Sequence, residues 1–236
     1  MLNRILILLL IIVISPGCRN EQKPLSTHSK KLPINNLLSD VTSSELGDFK
    51  WLNEPKSYTI NNGSLNVIAE KGTDFFNNPE DSTITSTAPF LYQNISGDFV
   101  AQALVRADFS SVWNSASIMV YIDEHNWIKF AFENSDATGK SIVSVVTRQV
   151  SDDANGVVLS DEDEVWLKLV RKGNNYAMFW SIDGEDFKMA RLAAMPPVDS
   201  LKIGVEAQCP VGESATHQIL YFGLVKKTVE DLRKGV

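Results

Sequence analysis

The sequence has little cysteine, little histidine, a shortage of basic residues and no apolar run of the ~20 residues a helix needs to cross a bilayer. Each shortage excludes something. Two cysteines, Cys18 and Cys209, build no disulfide framework. With neither a CxxC nor a histidine beside it, Cys209 reads as a small buried apolar residue. His28, His125 and His217 share no spacing that suits zinc or a catalytic base. A nucleophile elbow and a phosphate-binding glycine loop are missing, so nucleophilic and nucleotide chemistry find no support. With 22 basic against 29 acidic residues the net charge is −7, the wrong sign for neutralising phosphates, and nucleic acid is excluded as a partner.

What is present begins at the N-terminus. Arg4, the apolar run Ile5 to Ile14, and Ser15-Pro16-Gly17 before Cys18 read as a signal peptide over residues 1–17. Gly17-Cys18 resembles the lipobox of bacterial lipoproteins, from which it departs at Ser15 and Pro16. The resemblance implies lipidation of Cys18, several acyl chains and a stable membrane anchor. Cleavage removes one arginine and no acid, leaving 21 basic and 29 acidic residues. Residues 18–40, polar and carrying Pro24 and Pro33, read as the lipidated cysteine and a flexible tether. The expected location is the cell envelope, and the outer membrane in a Gram-negative cell, because Arg19 stands where an inner-membrane retention signal has Asp.

From Val41 the pattern becomes short apolar stretches separated by turn signals. Strands are expected at Ser64–Ala69, Asp98–Ala107, Ser117–Ile122, Asn126–Glu133 and Ser141–Arg148. Four more are expected at Val165–Arg171, Tyr176–Ser181, Leu201–Ala207 and Gln218–Val225. Asn62-Gly63, Asp183-Gly184 and Gly173-Asn174-Asn175 supply hairpin turns, so neighbouring strands are antiparallel. The expectation is an all-β, two-sheet antiparallel jelly-roll sandwich over residues 41–226, with a C-terminal tail, a short helix or a frayed end, at 227–236.

Alternation assigns faces. Ile128, Phe130 and Phe132 point to the core, against Trp127, Lys129, Ala131 and Glu133 on the other side. Ile118, Val120 and Ile122 likewise oppose Met119 and Tyr121. Met119, Tyr121, Trp127, Lys129 and Glu133 are therefore expected to share one exposed face. An indole beside a cation and a carboxylate is the chemistry of a sugar site, where a pyranose stacks on the ring and its hydroxyls take charge-assisted hydrogen bonds. A half-buried tryptophan beside a solvated ion pair is the plainer reading of the same residues. For Val165–Arg171 and Tyr176–Ser181, alternation leaves open which set faces the core.

Several segments occur in an order that resembles a known family: Gly72-Thr73-Asp74-Phe75-Phe76, Ala88-Pro89-Phe90-Leu91-Tyr92, Gly97-Asp98-Phe99 and Met119-Val120. They continue with Asn126-Trp127-Ile128-Lys129 and Glu133, Val145 to Arg148 with Ser151-Asp152, and Ser181 to Gly184. The family is the domain of unknown function typified by the fungal "regulation of enolase" protein, in the concanavalin A-like lectin/glucanase superfamily. The resemblance runs from Trp51 to Val225 and departs at Phe76, where tryptophan is frequent. It implies a concanavalin A-like jelly roll and a carbohydrate-related setting, and fold kinship does not transfer function.

The candidate ligand-binding residues are thus Trp127, Lys129, Glu133, Met119 and Tyr121, extended by Asp74, Phe75 and Tyr92. The expected partner is a poly- or oligosaccharide, with no cofactor, no metal and no catalytic residue. Glycoside hydrolysis needs two flanking carboxylates, and the Glu-x-Asp-x-x-Glu pattern of related glucanases is absent. Ser151 to Glu162 meets part of a calcium-loop pattern but lacks its leading carboxylate, and reads as a polar hairpin loop. A protein-interaction or structural envelope module is the alternative function, and a glycoside-active enzyme the third.

Overall fold

A computed structural model describes residues 34–236, so the signal peptide, Cys18 and most of the expected tether lie outside the described residues. The strands are, in chain order, β1 (Lys50–Leu52), β2 (Tyr58–Asn61), β3 (Ser64–Glu70), β4 (Phe75–Asn77), β5 (Ile84–Ser86), β6 (Phe90–Ser96), β7 (Phe99–Arg106) and β8 (Ser115–Asp123). They continue as β9 (Asn126–Ser135), β10 (Gly139–Arg148), β11 (Val150–Val158), β12 (Val165–Lys172), β13 (Asn175–Ser181), β14 (Lys188–Ala194), β15 (Ser200–Gln208) and β16 (Ser214–Lys226). All nine expected strands are among them.

Two seven-stranded antiparallel sheets form the sandwich, ordered β1-β6-β15-β8-β9-β10-β11 and β14-β13-β12-β7-β16-β3-β2. Between them lies one apolar core that takes Ile118, Val120, Ile128, Phe130 and Phe132 from the first sheet. From the second come Val165, Leu167, Leu169, Tyr176 and Met178, which settles the alternation left open by sequence. The opposite set, Val170, Ala177 and Phe179, packs on the outer face of the second sheet under Val229 and Leu232. Residues 227–236 are therefore turns docked on that face, neither a helix nor a frayed end. Asn62 (φ 48°) and Gly63 (φ 77°) make the expected tight turn between β2 and β3.

Two sequence expectations need correction. The domain starts before Val41: Asn36 caps a 3-10 turn (Leu37–Asp40), donates to the Gly63 carbonyl at 2.7 Å and accepts from the Phe222 N–H at 3.0 Å. Leu38 is wholly buried in the main core, and the Tyr221 hydroxyl donates to the Ile34 carbonyl. The Ser151–Gly156 segment, expected as a hairpin loop, lies within edge strand β11, with Arg191 of β14 bound to Asp152 at 2.7 Å. Its polar side chains suit an edge that must not recruit another strand.

A third sheet, the β4–β5 hairpin, positions the site. It lies over the outer face of the first sheet and is fastened by backbone-directed bonds: Asn77 Nδ2 to the carbonyls of Glu124 (2.9 Å) and Gln149 (3.0 Å), and Asn53 Nδ2 to those of Ser86 and Ala88 (3.0 Å each). These bonds make it a fixed cover.

Replacing Leu38 by alanine should cost about 2–5 kcal/mol in chemical denaturation, as for other buried leucines. A change within 0.5 kcal/mol would return residues 34–40 to the tether.

Candidate functional site

Cross-strand register builds the outer face of the first sheet row by row. One row runs Tyr92 (β6), Gly204 (β15), Met119 (β8), Lys129 (β9), Val145 (β10) and Asp153 (β11). The neighbouring rows bring Glu206 opposite Ser117, and Gln208 and Glu133 opposite Ser115. The sequence expectation that Met119, Tyr121, Trp127, Lys129 and Glu133 share a face therefore holds. Its companion, that the face is exposed, does not.

The β4–β5 hairpin divides the face. At one end Phe75, Phe90, Met119, Trp127, Val143 and Val145 form a second core. Trp127 is 0% exposed and meets the edge of Phe75 at 6.0 Å between centroids, so it presents no ring to a sugar. Met119 and Phe75 are buried with it. Tyr92 and Tyr121 lie half-buried at this end beneath the Lys202 ammonium, outside the lining of the cavity. Five of the eight candidates thus serve packing. Alternation assigned their side correctly and could not see the hairpin that covers it.

At the other end the face stays open as a cavity of about 270 Å³, lined by Asp74, Phe76, Trp113, Lys129, Glu133, Asp136, Val145, Asp153 and Gln208. Lys129, 2% exposed, crosses its floor. Its Nζ donates to Gln208 Oε1 (2.6 Å), the Phe75 carbonyl (3.1 Å) and Asp74 Oδ1 (3.3 Å). An ammonium has three donors, and all are used within the protein. Burial pulls the Lys129 pKa down, but Asp74, Glu206 and Glu133 outweigh it and hold the group above its ordinary value. The lysine is the site's internal brace, a correction to its expected role as a ligand contact.

Gln208 carries this brace to the rim. Its Nε2 donates to the Trp113 carbonyl at 2.9 Å, while the Gln208 backbone carbonyl accepts from His217 Nε2 at 3.0 Å. His217 Nδ1 accepts from the Asp108 N–H at 3.2 Å, so the ring is neutral with its proton on Nε2. Burial keeps it so, lowering its pKa to about 4. Trp113 sits in the turn before β8 with φ 63°, a conformation uncommon for a tryptophan, and leaves 40% of its surface exposed beside the cavity. Strain of this kind persists where surrounding bonds impose it and is a marker of functional sites.

Glu133 is the open valence. It is 6% exposed and lines the cavity, and its carboxyl has neither a hydrogen bond nor an ion pair among the described residues. Burial, countered by Lys129 and reinforced by Asp153, Asp74 and Glu206, pushes its carboxyl up to about 8. Glu206, wholly buried next to it in the network, accepts from Ser117 Oγ at 2.7 Å and is raised by burial to about 7, against the pull of Lys129. A protonated Glu133 offers a donor and an acceptor to whatever enters.

Sequence reasoning found Asp74, Lys129 and Glu133 and missed Trp113, Glu206, Gln208, Asp136 and Asp153. A signal existed for two of these: in β15, Glu206 and Gln208 alternate with Val205 and Ala207 and so share the polar face. Trp113 stands in a turn, where no period assigns it a side.

Fold and site together define a concanavalin A-like sandwich with an acidic, aromatic-rimmed cavity on its outer face. The family model described as "Protein of unknown function (DUF1349)" matches residues 51–225, and the chain belongs to that family. The "Regulation of enolase protein 1" of Saccharomyces cerevisiae is 29% identical over 168 residues, covering 71% of this chain and 84% of the yeast protein. A solved structure of a functionally unknown protein from Saccharomyces cerevisiae superposes with a TM-score of 0.73 at 26% identity, over 78% of this chain and all of that one. Two more distant likenesses show the fold alone. The GH43 protein BlXynB of Bacillus licheniformis aligns at 14% identity and TM-score 0.65, over 81% of this chain and 39% of its own. The exoplasmic/lumenal domain of VIP36, in its Ca2+/Man3GlcNAc-bound form, aligns at 7% identity and TM-score 0.52, over 84% of this chain and 92% of that domain.

Two outcomes follow. Trp127→Ala should destabilise the domain by about 3–5 kcal/mol, the cost of emptying a large aromatic core position, read in denaturant unfolding; a near-neutral change would restore it to the surface. Glu133 and Glu206 have folded-state pKa values above their ordinary 4.5. Their protonated forms therefore favour the fold fully below about pH 4.5, and that contribution is lost as pH rises through 7 and 8. Glu206→Gln should flatten this alkaline decline and raise stability at pH 8.5 by on the order of 2 kcal/mol, measured by melting curves from pH 5 to 9.

Proposed function

We propose that the domain binds carbohydrate, without transforming it, in the cavity between Trp113, Phe76, Asp74 and Glu133. The observation that carries this reading is Glu133: a buried carboxyl without a partner, at a cavity whose lining also holds the exposed indole of Trp113. Sugar hydroxyls donate and accept at once, and a protonated carboxyl does the same. The Trp113 ring offers the apolar face on which a pyranose stacks. The volume is at the small end of ligand pockets, suited to one or two residues of an oligosaccharide. Binding is favoured over turnover because Asp74, the carboxylate that would complete an acid/base pair with Glu133, is engaged by Lys129 at 3.3 Å. Sandwiches of this fold in a GH43 protein and in a Man3GlcNAc-bound domain support the reading by analogy of fold.

The second part of the proposal rests on sequence. The apolar run and Gly17-Cys18 support an exported lipoprotein, held to the envelope through Cys18 and, in a Gram-negative cell, to its outer membrane.

A glycan array followed by calorimetry tests the first part. Trp113→Ala and Glu133→Ala should each weaken the best ligand at least roughly tenfold, about 1.4 kcal/mol, and Trp113→Ala should leave the melting temperature unchanged. Full-strength binding by both variants would move the site elsewhere. For the anchor, the expressed chain should partition into detergent and Cys18→Ser into water; identical partitioning would refute lipidation.

A further inference from the structure

The lining of the cavity says which sugars it suits. Four of its residues are carboxylic acids, Asp74, Glu133, Asp136 and Asp153, and its one cation is Lys129, whose three donors are already committed. A uronate or any other anion entering here meets repulsion with no free donor of full charge to offset it. A metal ion is also a poor fit: among the described residues no three acidic, histidine or cysteine side chains converge closely enough to hold one. The acids are spread around a space of about 270 Å³, which suits an organic cation that fills the space and presents its charge at one point. Glu133 supplies that point, since it is nine-tenths buried, unpartnered and part of the lining.

We infer that the cavity selects amino sugars, with the free ammonium of a glucosamine-type residue paired to Glu133 and its ring against Trp113. This inference rests on the carbohydrate reading and adds the charge of the ligand to it. In the empty cavity the proton on Glu133 relieves its burial and its repulsion from Asp74 before β4, Asp153 on β11 and Glu206 on β15, against the opposing pull of Lys129 beside it on β9, while Asp136 in the turn after β9 adds a further acid to the lining. An arriving ammonium takes over that work. Glu133 gives its proton to solvent, the carboxylate and ammonium form a charge-assisted pair, and the net charge of the cavity is unchanged. Acetylation of the sugar nitrogen removes the charge and with it the reason for the proton to leave.

The experiment compares the glucosamine trimer, the N-acetylglucosamine trimer and cellotriose with the full chain at pH 6.5, by titration calorimetry in buffers of different ionisation enthalpy. The glucosamine trimer should bind at least roughly tenfold more tightly than the other two, and it alone should release close to one proton. In Glu133→Gln the preference ratio should fall to near one, whatever happens to absolute affinity. Asp136 is exposed, so Asp136→Asn cannot act through folding and should reduce the preference in part. Equal or weaker binding of the glucosamine trimer, or tight binding without proton release, overturns the ammonium inference and leaves the carbohydrate reading standing. If no glycan binds, both fall. A lysine peptide that competes as well as the trimer also overturns the assignment to sugars.

Discussion

A single buried ammonium organises the outer face of the first sheet. Lys129 stands at the boundary between the second core and the cavity, and its three bonds reach two separate stretches of chain: the entry to β4, through the Asp74 carboxylate and the Phe75 carbonyl, and the end of β15 through Gln208. An ion in this position is costly unless every donor is met, and breaking one partner of such a set leaves the rest uncompensated. The start of the hairpin cover and the carboxylate Asp74 meet that requirement directly, and the strained turn at Trp113 is tied to it through Gln208. The pinning continues through backbone: Thr73 Oγ1 accepts from the Cys209 N–H, and the Gly72 N–H donates to the Cys209 carbonyl, so the segment leading to Asp74 is tied to the strand end behind the cavity.

Two buried acids beside that lysine, Glu133 and Glu206, differ in what completes them. Glu206 has the Ser117 hydroxyl on one oxygen and a closed surrounding that leaves the other unpaired and out of reach of the cavity. Glu133 has the cavity. The same burial that lifts both pKa values thus yields a structural group in one case and an unfilled site in the other, and only three-dimensional placement separates them.

Much of the fold was legible because its signals are local. The Ile128-Phe130-Phe132 alternation, the Asn62-Gly63 turn and the strand at Val165–Arg171 each follow from residues adjacent in sequence. Among the strands missed, β4 and β5 have three residues each, and β11 is a polar edge read as a loop. For the site, Lys129, Glu133 and Asp74 were found by chemistry and by family resemblance. Trp127 was misassigned for a physical reason. Both faces of β9 are buried, one by the opposite sheet and one by a hairpin more than forty residues upstream, and a period of two reports that a strand has two sides without reporting what lies on either.

The chain's point of entry has a directional consequence. Ile34 packs with the cluster on the outer face of the second sheet, where its side chain lies against Gly223, while the cavity opens on the outer face of the first. The full thickness of the sandwich separates the two. Ile34, the first described residue, therefore stands on the face turned away from the cavity, and the cavity's mouth is left to the opposite side of the domain.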